Sequence, residues 1–299
     1  MRAHARRGVA LIAVLWMVAA LALLVAGMQT MARGQFSEAR LHLDAGRATA
    51  LGDAAIQLAV LDWMSANPAP DRLRHARYGF DNAEIEVEIV PASGYVDLNA
   101  APEALLQALF VHGVGLDADA ALQLAQRIVD WRDVDDEPQP HGAETPAYAA
   151  AGVKFRPRNG RFVVPEDLMQ VIGVDFDLFA RIRPFITVWS TGGAGVNPYA
   201  ASGRTLLVLC QGDGNEARRI AAARDAGQTD IDTVTLDQTF LRAGGMGNVL
   251  HVTASIAVGN GRRAVRGRWV LTRAHADGTP WQTIRAEPVR FALTEAGGS

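Results

Sequence analysis

The hydrophobic period changes repeatedly along this chain. From Val9 to Ala26 the positions are apolar almost without exception, and no charge intervenes between Arg7 and Arg33. About 25 uncharged residues at ~1.5 Å rise each suffice to cross a ~30 Å hydrocarbon core. Beyond Met31 the pattern turns amphipathic. Leu41, Ala45, Ala48, Leu51, Ala55 and Leu58 recur at spacings of three and four, with Arg40, Asp44, Arg47 and Asp53 on the other faces. No proline occurs from Met1 to Asn67, so the spacing predicts one helix, apolar first and two-faced later, ending at Asn67-Pro-Ala-Pro70. Ile85-Glu-Val-Glu-Ile89 alternates strictly and predicts a half-buried strand. Asn99 is placed to cap a helix with Pro102 in its first turn. From there to about Pro184 the period is helical, carried by Leu105, Leu106, Leu109, Phe110, Ala121, Leu124, Ala125, Ile128, Val129, Leu168, Val171 and Ile172. Alternation returns in Leu250, Val252, Ala254, Ile256 and Val258, with a hairpin turn at Asn260-Gly261, and continues through Trp269, Leu271, Val289, Phe291 and Leu293. Between 202 and 245 only Ala217–Ala226 has a clear period, that of a helix.

Three arginines, Arg2, Arg6 and Arg7, precede the apolar block. By the positive-inside rule they hold the N-terminus in the cytoplasm and send the rest of the chain across the membrane. Three readings of the segment stand side by side. It is a plain signal anchor, or a cleaved signal peptide cut at Ala20-Leu21-Ala22, or a leader ending in Gly8 that is cut on the cytoplasmic side. The second site lies inside the apolar run. The third would free Val9 and leave the apolar helix whole.

Composition narrows the classes. The chain has 299 residues, 49% hydrophobic and 20% charged, enough for one or two domains after the helix. A net charge of −3 argues against general nucleic-acid binding and against a polybasic membrane surface. The single cysteine, Cys210, excludes an internal disulfide framework and is expected to be buried within Leu206–Cys210. No His-Glu-x-x-His, Gly-x-Ser-x-Gly or Walker loop occurs, so no enzymatic activity is expected. Gly259-Asn-Gly261-Arg-Arg-Ala264 fits a loose dinucleotide fingerprint, but it joins two alternating segments and reads as a hairpin. Arg262, Arg263, Arg266 and Arg268 form a basic ribbon, expected to be a solvated strand edge that discourages strand addition, with docking to a partner as the alternative.

Several motifs taken in order carry a family resemblance. They are Gly8-Val-Ala-Leu-Ile12, Gly94-Tyr-Val-Asp-Leu-Asn99, Asp130-Trp-Arg-Asp-Val-Asp135, Gly142-Ala-Glu144, Phe162-Val-Val-Pro-Glu-Asp-Leu168, Val171-Ile-Gly173 and Val196-Asn197. Together they resemble the minor pseudopilin K family of type II secretion, from Gly8 to about Arg224 and more weakly to the last strands. The resemblance implies an α+β fold: a pilin-like long N-terminal helix packed on an antiparallel sheet, with a large all-helical domain inserted after the first strand. It divides the chain into a leader (1–8), a membrane and stalk helix (9–66), a first part of the head (67–98), the helical insert (99–190) and a β-rich second part (191–299). It further implies cleavage by prepilin peptidase between Gly8 and Val9 with N-methylation of Val9. The subunit would be single-pass in the bacterial inner membrane, with its head in the periplasm. It would work with the I and J minor pseudopilins, the pseudopilus and the inner-membrane secretion platform, and no nucleic-acid partner is expected. Most pilins carry a glutamate five residues into the mature helix, where this chain has Ala13. A carboxylate at bilayer depth costs roughly 2.5–3.5 kcal/mol unless it meets the terminal ammonium of the subunit above. A tip subunit has none above it, so Ala13 suits the tip.

The segment from Asp130 to Glu144 is the one candidate metal site. Asp133, Asp135, Glu137 and Glu144 place oxygens at positions 1, 3, 5 and 12, an EF-hand cadence, but Pro138 stands where an EF-hand needs glycine. The residues alone leave a solvated acidic loop and a cation site both open. The resemblance implies calcium, held by Asp133, Asp135 and Glu144. Val171-Ile-Gly173-Val-Asp175-Phe-Asp177 has the outline of a helix-hairpin-helix. That is the basis of the alternative function, a membrane-anchored periplasmic DNA-binding protein of a competence-type apparatus. Asp175 and Asp177 would repel phosphate there.

Overall fold

The structure, a computed structural model, describes residues 4–66, 71–80, 83–190, 192–244, 248–258, 261–273 and 278–293, without the side chains of 4–12, 25–41 and 293. Helix α1, His4–Ser65, runs for 62 residues as a single rod. Its second half buries Ala48, Ala55, Ile56, Ala59, Val60 and Trp63, a stripe in which alanines let the helix lie close to a sheet. Leu58, expected on that stripe, is 40% exposed, because it lies roughly a third of a turn away from the line set by Ile56, Ala59 and Trp63.

The remaining elements follow in chain order: β1 (Arg74–Phe80), β2 (Ala83–Pro91), β3 (Val96–Asp97), α2 (Glu103–Ala108), α3 (Ala118–Arg132), α4 (Thr145–Ala150), α5 (Phe176–Ile182), β4 (Ile186–Thr187), α6 (Gly203–Leu209), α7 (Gly214–Asp225), β5 (Val249–Ala257), β6 (Arg262–Leu271), β7 (Gln282–Ala286) and β8 (Arg290–Leu293). The main sheet is antiparallel in the order β1-β2-β5-β6-β7, with β8 also paired to β6. The alternation read in the sequence sets its two faces. Ile85, Val87 and Ile89 of β2 and Leu250, Val252, Ala254 and Ile256 of β5 turn towards α1 and share one core with it. On the other face Trp269 packs against Tyr95, Val90 and Leu73. The turn residue Asn260 lies outside the described residues, but β5 and β6 pair from Val249↔Leu271 to Ala257↔Arg263, as a hairpin requires.

Strands β2 and β5 are neighbours in the sheet, with Ile85 opposite Ile256 and Pro91 opposite Leu250. The chain nonetheless leaves β2 at Pro91 and returns only at Val249, and the helices α2 to α7 all lie in that excursion. The helical insert is thus present, but it follows two strands. The half-exposed, basic β1 alternates only over Ala76, Tyr78 and Phe80, a run too short to set it apart in the sequence. A short parallel clasp, Val96↔Ile186 and Asp97↔Thr187, ties the ends of α2–α5 together. The expected boundary at 190 is too early. Val196, Ala201, Leu206, Leu209, Ile220, Ile231, Leu236 and Phe240 join the core of Leu105, Phe110, Ile128 and Trp131, so the helical body runs on to about Leu241. Cys210 is buried there, and burial pushes its thiol up to about 11.

Two further expectations change. Asn99 does not cap α2, whose first turn follows Pro102 without a side-chain cap. Its amide instead joins three segments, accepting from the N–H of Phe162 (2.7 Å) and donating to the carbonyls of Phe162 (3.0 Å) and Val188 (3.3 Å). The arginine ribbon is not a solvated edge. β6 lies between β5 and β7–β8, and Arg263 reaches Glu86 (2.5 Å), Arg266 reaches Asp53 (2.8 Å) and Arg268 reaches Asp53 (2.6 Å).

Candidate functional site

Helix α3 ends at Arg132, and Asp133 occupies its C-cap. Arg132 is pulled inward, donating to the carbonyls of Leu98 (2.7 Å) and Ala101 (2.7 Å), so the last turn is fixed against the β3 clasp. From that turn the acidic loop crosses to Glu144, which precedes α4. Asp130, fully buried, holds the loop down by accepting from the N–H of Gln139 (3.2 Å) and of Ala143 (2.7 Å). A Cβ at Gly142 would overlap Asp130 Oδ2, so only glycine lets the chain come this close. The Gln126 side chain accepts from the N–H of His141 (2.8 Å), and Asn159 donates to the carbonyl of Asp135 (2.9 Å) and to Asp136 (2.9 Å). Beneath lies an aromatic floor in which Trp131 stacks on Phe162 with ring centres 5.9 Å apart.

This scaffold confines negative charge. Glu144 is 2% exposed, and neither of its carboxylate oxygens has a hydrogen-bond partner; Asp133 Oδ1 is buried and unpartnered as well. Burial, then repulsion from Asp130, Asp133, Asp136 and Asp135, pushes Glu144 up to about 7. Burial, with Asp135 and Asp130, pushes Asp133 up to about 6. Asp130 is raised by burial, against the two amides that it accepts. Unpartnered carboxylate oxygens in a closed turn are strongly unfavourable unless a proton or a cation meets them. Of the three expected ligands, Asp133 and Glu144 carry these oxygens, whereas Asp135 is exposed and its Oδ1 accepts from the N–H of Glu137 (3.0 Å). Among the described residues no group of three His, Cys, Asp or Glu stands ready to hold a metal. The donor set itself, hard oxygens only, is of the type that calcium takes. Sequence reasoning missed Asp130 as the organiser. Its position one turn before Asp133 on the same helix was the available signal.

The other candidate positions are separate. Gly8 and Val9 lie in α1 outside the described side chains. Ala13 begins a run, residues 13–24, in which every side chain is exposed, including Leu15, Trp16 and Leu23. Among the described residues no helix is long and apolar enough to cross a membrane. At the hairpin, Gly173 turns the chain with φ 95°, but the Asp175 carboxylate accepts from the N–H of Leu178 (2.7 Å) and caps α5. The amide that would meet a phosphate is thus already engaged by an anion, and nothing favours the DNA-binding alternative.

A family model described as type II secretion system, protein K matches residues 89–191. Type II secretion system protein K of Pectobacterium carotovorum subsp. carotovorum is 32% identical over 89 residues, covering 30% of this chain and 27% of the relative. A putative type II secretion system protein K of Escherichia coli is 27% identical over 218 residues, 64% of this chain and 65% of that protein. The Klebsiella pneumoniae protein K is 25% identical over 205 residues, 61% of this chain and 63% of the relative. The chain thus spans less than two thirds of the length of these relatives. A solved chain from the GspK-GspI-GspJ complex of the enterotoxigenic Escherichia coli type 2 secretion system shares the fold, with a TM-score of 0.52 at 15% identity over 87% of this chain and 98% of that one. The matched segment runs from the end of β2 through the clasp and the acidic turn to β4, and over those residues the chain is similar to type II secretion system protein K.

Proposed function

We propose that the protein is a minor pseudopilin at the tip of a periplasmic pseudopilus. There it starts or caps assembly with I- and J-type minor pseudopilins, for export of folded proteins across the outer membrane. The observation that carries this reading is α1. Its second half is covered by the sheet, while residues 13–24 present an apolar surface that nothing among the described residues covers. Lipid and neighbouring helices are the two environments that satisfy such a surface, and a pseudopilin meets both in turn. Prepilin peptidase would cut between Gly8 and Val9 and leave the rod intact, with the N-terminus on the cytoplasmic side of the inner membrane and the head in the periplasm. Ala13 supports the tip position, since a buried carboxylate there would have no ammonium above it.

The acidic turn fits calcium through its orphaned oxygens, so Asp133 and Glu144 would hold the ion with Asp135 beside them. Bound calcium supplies positive charge that neutralises the turn. Asp130, Gly142 and Asn159 keep the loop closed around it. The role is structural, and no reaction is assigned to the protein. Mass spectrometry of the mature N-terminus from cells that contain the secretion system tests the reading. A methylated Val9 is expected, and Met1 or Leu23 at the N-terminus would overturn it.

A further inference from the structure

We infer that the outer surface of the helical insert carries a docking site for an extended segment of a partner protein, one that joins an acidic side chain to apolar neighbours. A hollow of about 460 Å³ opens where α5, α6 and the π-helical turn Leu109–Gly113 meet. Its apolar wall includes Val114, Pro184 and Leu207, and its rim carries Arg181, Arg204 and His112. Among the described residues no carboxylate lines it. Arg181 is steadied by donating to the carbonyl of Val114 (2.9 Å), which holds its guanidinium at the rim. Arg204 is exposed and makes no ion pair among the described residues.

On the far side of Ala180 and Pro184 lies a second hollow of about 490 Å³, lined by Phe176, Phe179 and Pro288. Its arginines are all paired, though two of them share one acid: Arg285 holds Glu166 (2.6 Å), and Arg183 (3.2 Å) and Arg290 (3.0 Å) hold Glu287. The two hollows share Ala180 and Pro184 as a low wall, and Phe176 stands 72% exposed beside the second. This arrangement gives the track a polarity. A bound segment would place its carboxylate between Arg181 and Arg204, cross the wall, and set an apolar side chain against Phe176. Charge complementarity at one end and apolar contact at the other are the usual ingredients of peptide recognition. A lipid surface would instead call for a broad basic face of unpaired cations, which the ion-paired second hollow does not supply.

The test uses the full chain in detergent micelles and three labelled octapeptide pools. Each pool has Phe, Leu or Val at alternate positions and Asp, Asn or Lys at the centre. Fluorescence anisotropy is expected to show the Asp pool binding at least tenfold more tightly than the Lys pool, with the preference reduced by added salt. Arg204→Glu should weaken the Asp pool at least fivefold, and Ala180→Trp, which raises the wall, should weaken all three. Arg77→Glu, the same charge change on exposed β1, should alter nothing. Circular dichroism melts check that each variant is folded. Equal binding of the Asp and Lys pools, an equal loss in Arg77→Glu, an unchanged Arg204→Glu, or no saturable binding by any pool would each overturn the proposal. None of these outcomes bears on N-terminal processing, so the pseudopilin reading stands or falls separately.

Discussion

Under and beside the sheet, acids that leave water meet cations. Asp53 lies between Arg266 (2.8 Å) and Arg268 (2.6 Å), and Glu287 faces Arg183 (3.2 Å), Arg290 (3.0 Å) and His251 (3.4 Å). In the helical insert Asp167 still meets Arg158 (3.0 Å), but in the acidic turn Asp130 raises Asp133 and both raise Glu144. Burial alone would raise Asp53 and Glu287 as it raises these three. On the sheet side it is outweighed by the partners, so Glu287 is brought down to about 2 by His251, Arg183 and Arg290, and Asp53 is lowered by Arg266 and Arg268. At Glu144 repulsion from neighbouring acids adds to burial, and the carboxyl stands at about 7. The comparison teaches that the same burial lowers or raises a carboxylate according to whether cations or other acids are packed around it.

The most drastic way to break this comparison is to ask whether the two regions unfold separately. Trp63 is the largest side chain that α1 buries against the sheet, and Trp63→Ala is expected to cost about 3–5 kcal/mol. Amide hydrogen exchange should then show protection lost in β2, β5 and β6 while α2 and α3 keep theirs. Simultaneous loss would mean one cooperative unit and no meaningful contrast.

A second test addresses charge directly. In the unfolded chain Glu144 titrates near 4.5 and in the fold near 7, so between these values the folded state binds more protons. Without a divalent cation, stability of the insert should therefore fall as pH rises from about 4.5 through 7, by on the order of 2 kcal/mol. Glu287 runs the other way. Its contribution is present above about 4.5 and lost as pH falls towards 2. Calcium at 100 times its dissociation constant should restore about 2.7 kcal/mol to the insert at pH 7. In Glu144→Gln the calcium gain should vanish, while the cation-free protein becomes more stable at pH 7 by roughly 1–2 kcal/mol. Thermal melts with EGTA or calcium at pH 5 and 7 decide it. A melting temperature indifferent to both variables would remove the contrast.

How far these features were legible in the sequence depends on their range. Ile85–Ile89 and Leu250–Ile256 announced their strands because alternation is local, and the rod announced itself through a proline-free run. The stripe on α1 was misjudged at Leu58, since only contact with a particular sheet fixes which face is buried. The period of Ala217–Ala226 marks α7, whereas α6 has no such signal, because a helix of seven residues owes its stability to the core that it joins. In the acidic loop the carboxylates could be read off directly. Asp130 shows only its place one turn before Asp133, because its role depends on Gly142 and Ala143 returning to it across the loop. The pairing of Asp53 with Arg266 and Arg268 spans more than 200 residues of sequence and left no local trace.

The smallest effects sharpen the sheet side of the comparison. Asp53 has a side chain 22% exposed, and Asp53→Asn would leave two partly buried guanidiniums without their carboxylate. A loss of about 1–2 kcal/mol is expected, between the value for an exposed pair and that for a fully buried one. Arg77 and Glu86 lie 3.7 Å apart on the open face of β1 and β2, with side chains 69% and 49% exposed. Water and salt screen such a pair, and Glu86 keeps Arg263 at 2.5 Å as a second partner. Arg77→Ala should therefore shift stability by less than about 0.5 kcal/mol in chemical denaturation. Should Arg77→Ala prove as damaging as Asp53→Asn, pairing with cations would not separate interior from surface on this sheet. The low carboxylate values of Asp53 and Glu287 would then reflect a general excess of arginine around it, with no need for specific partners.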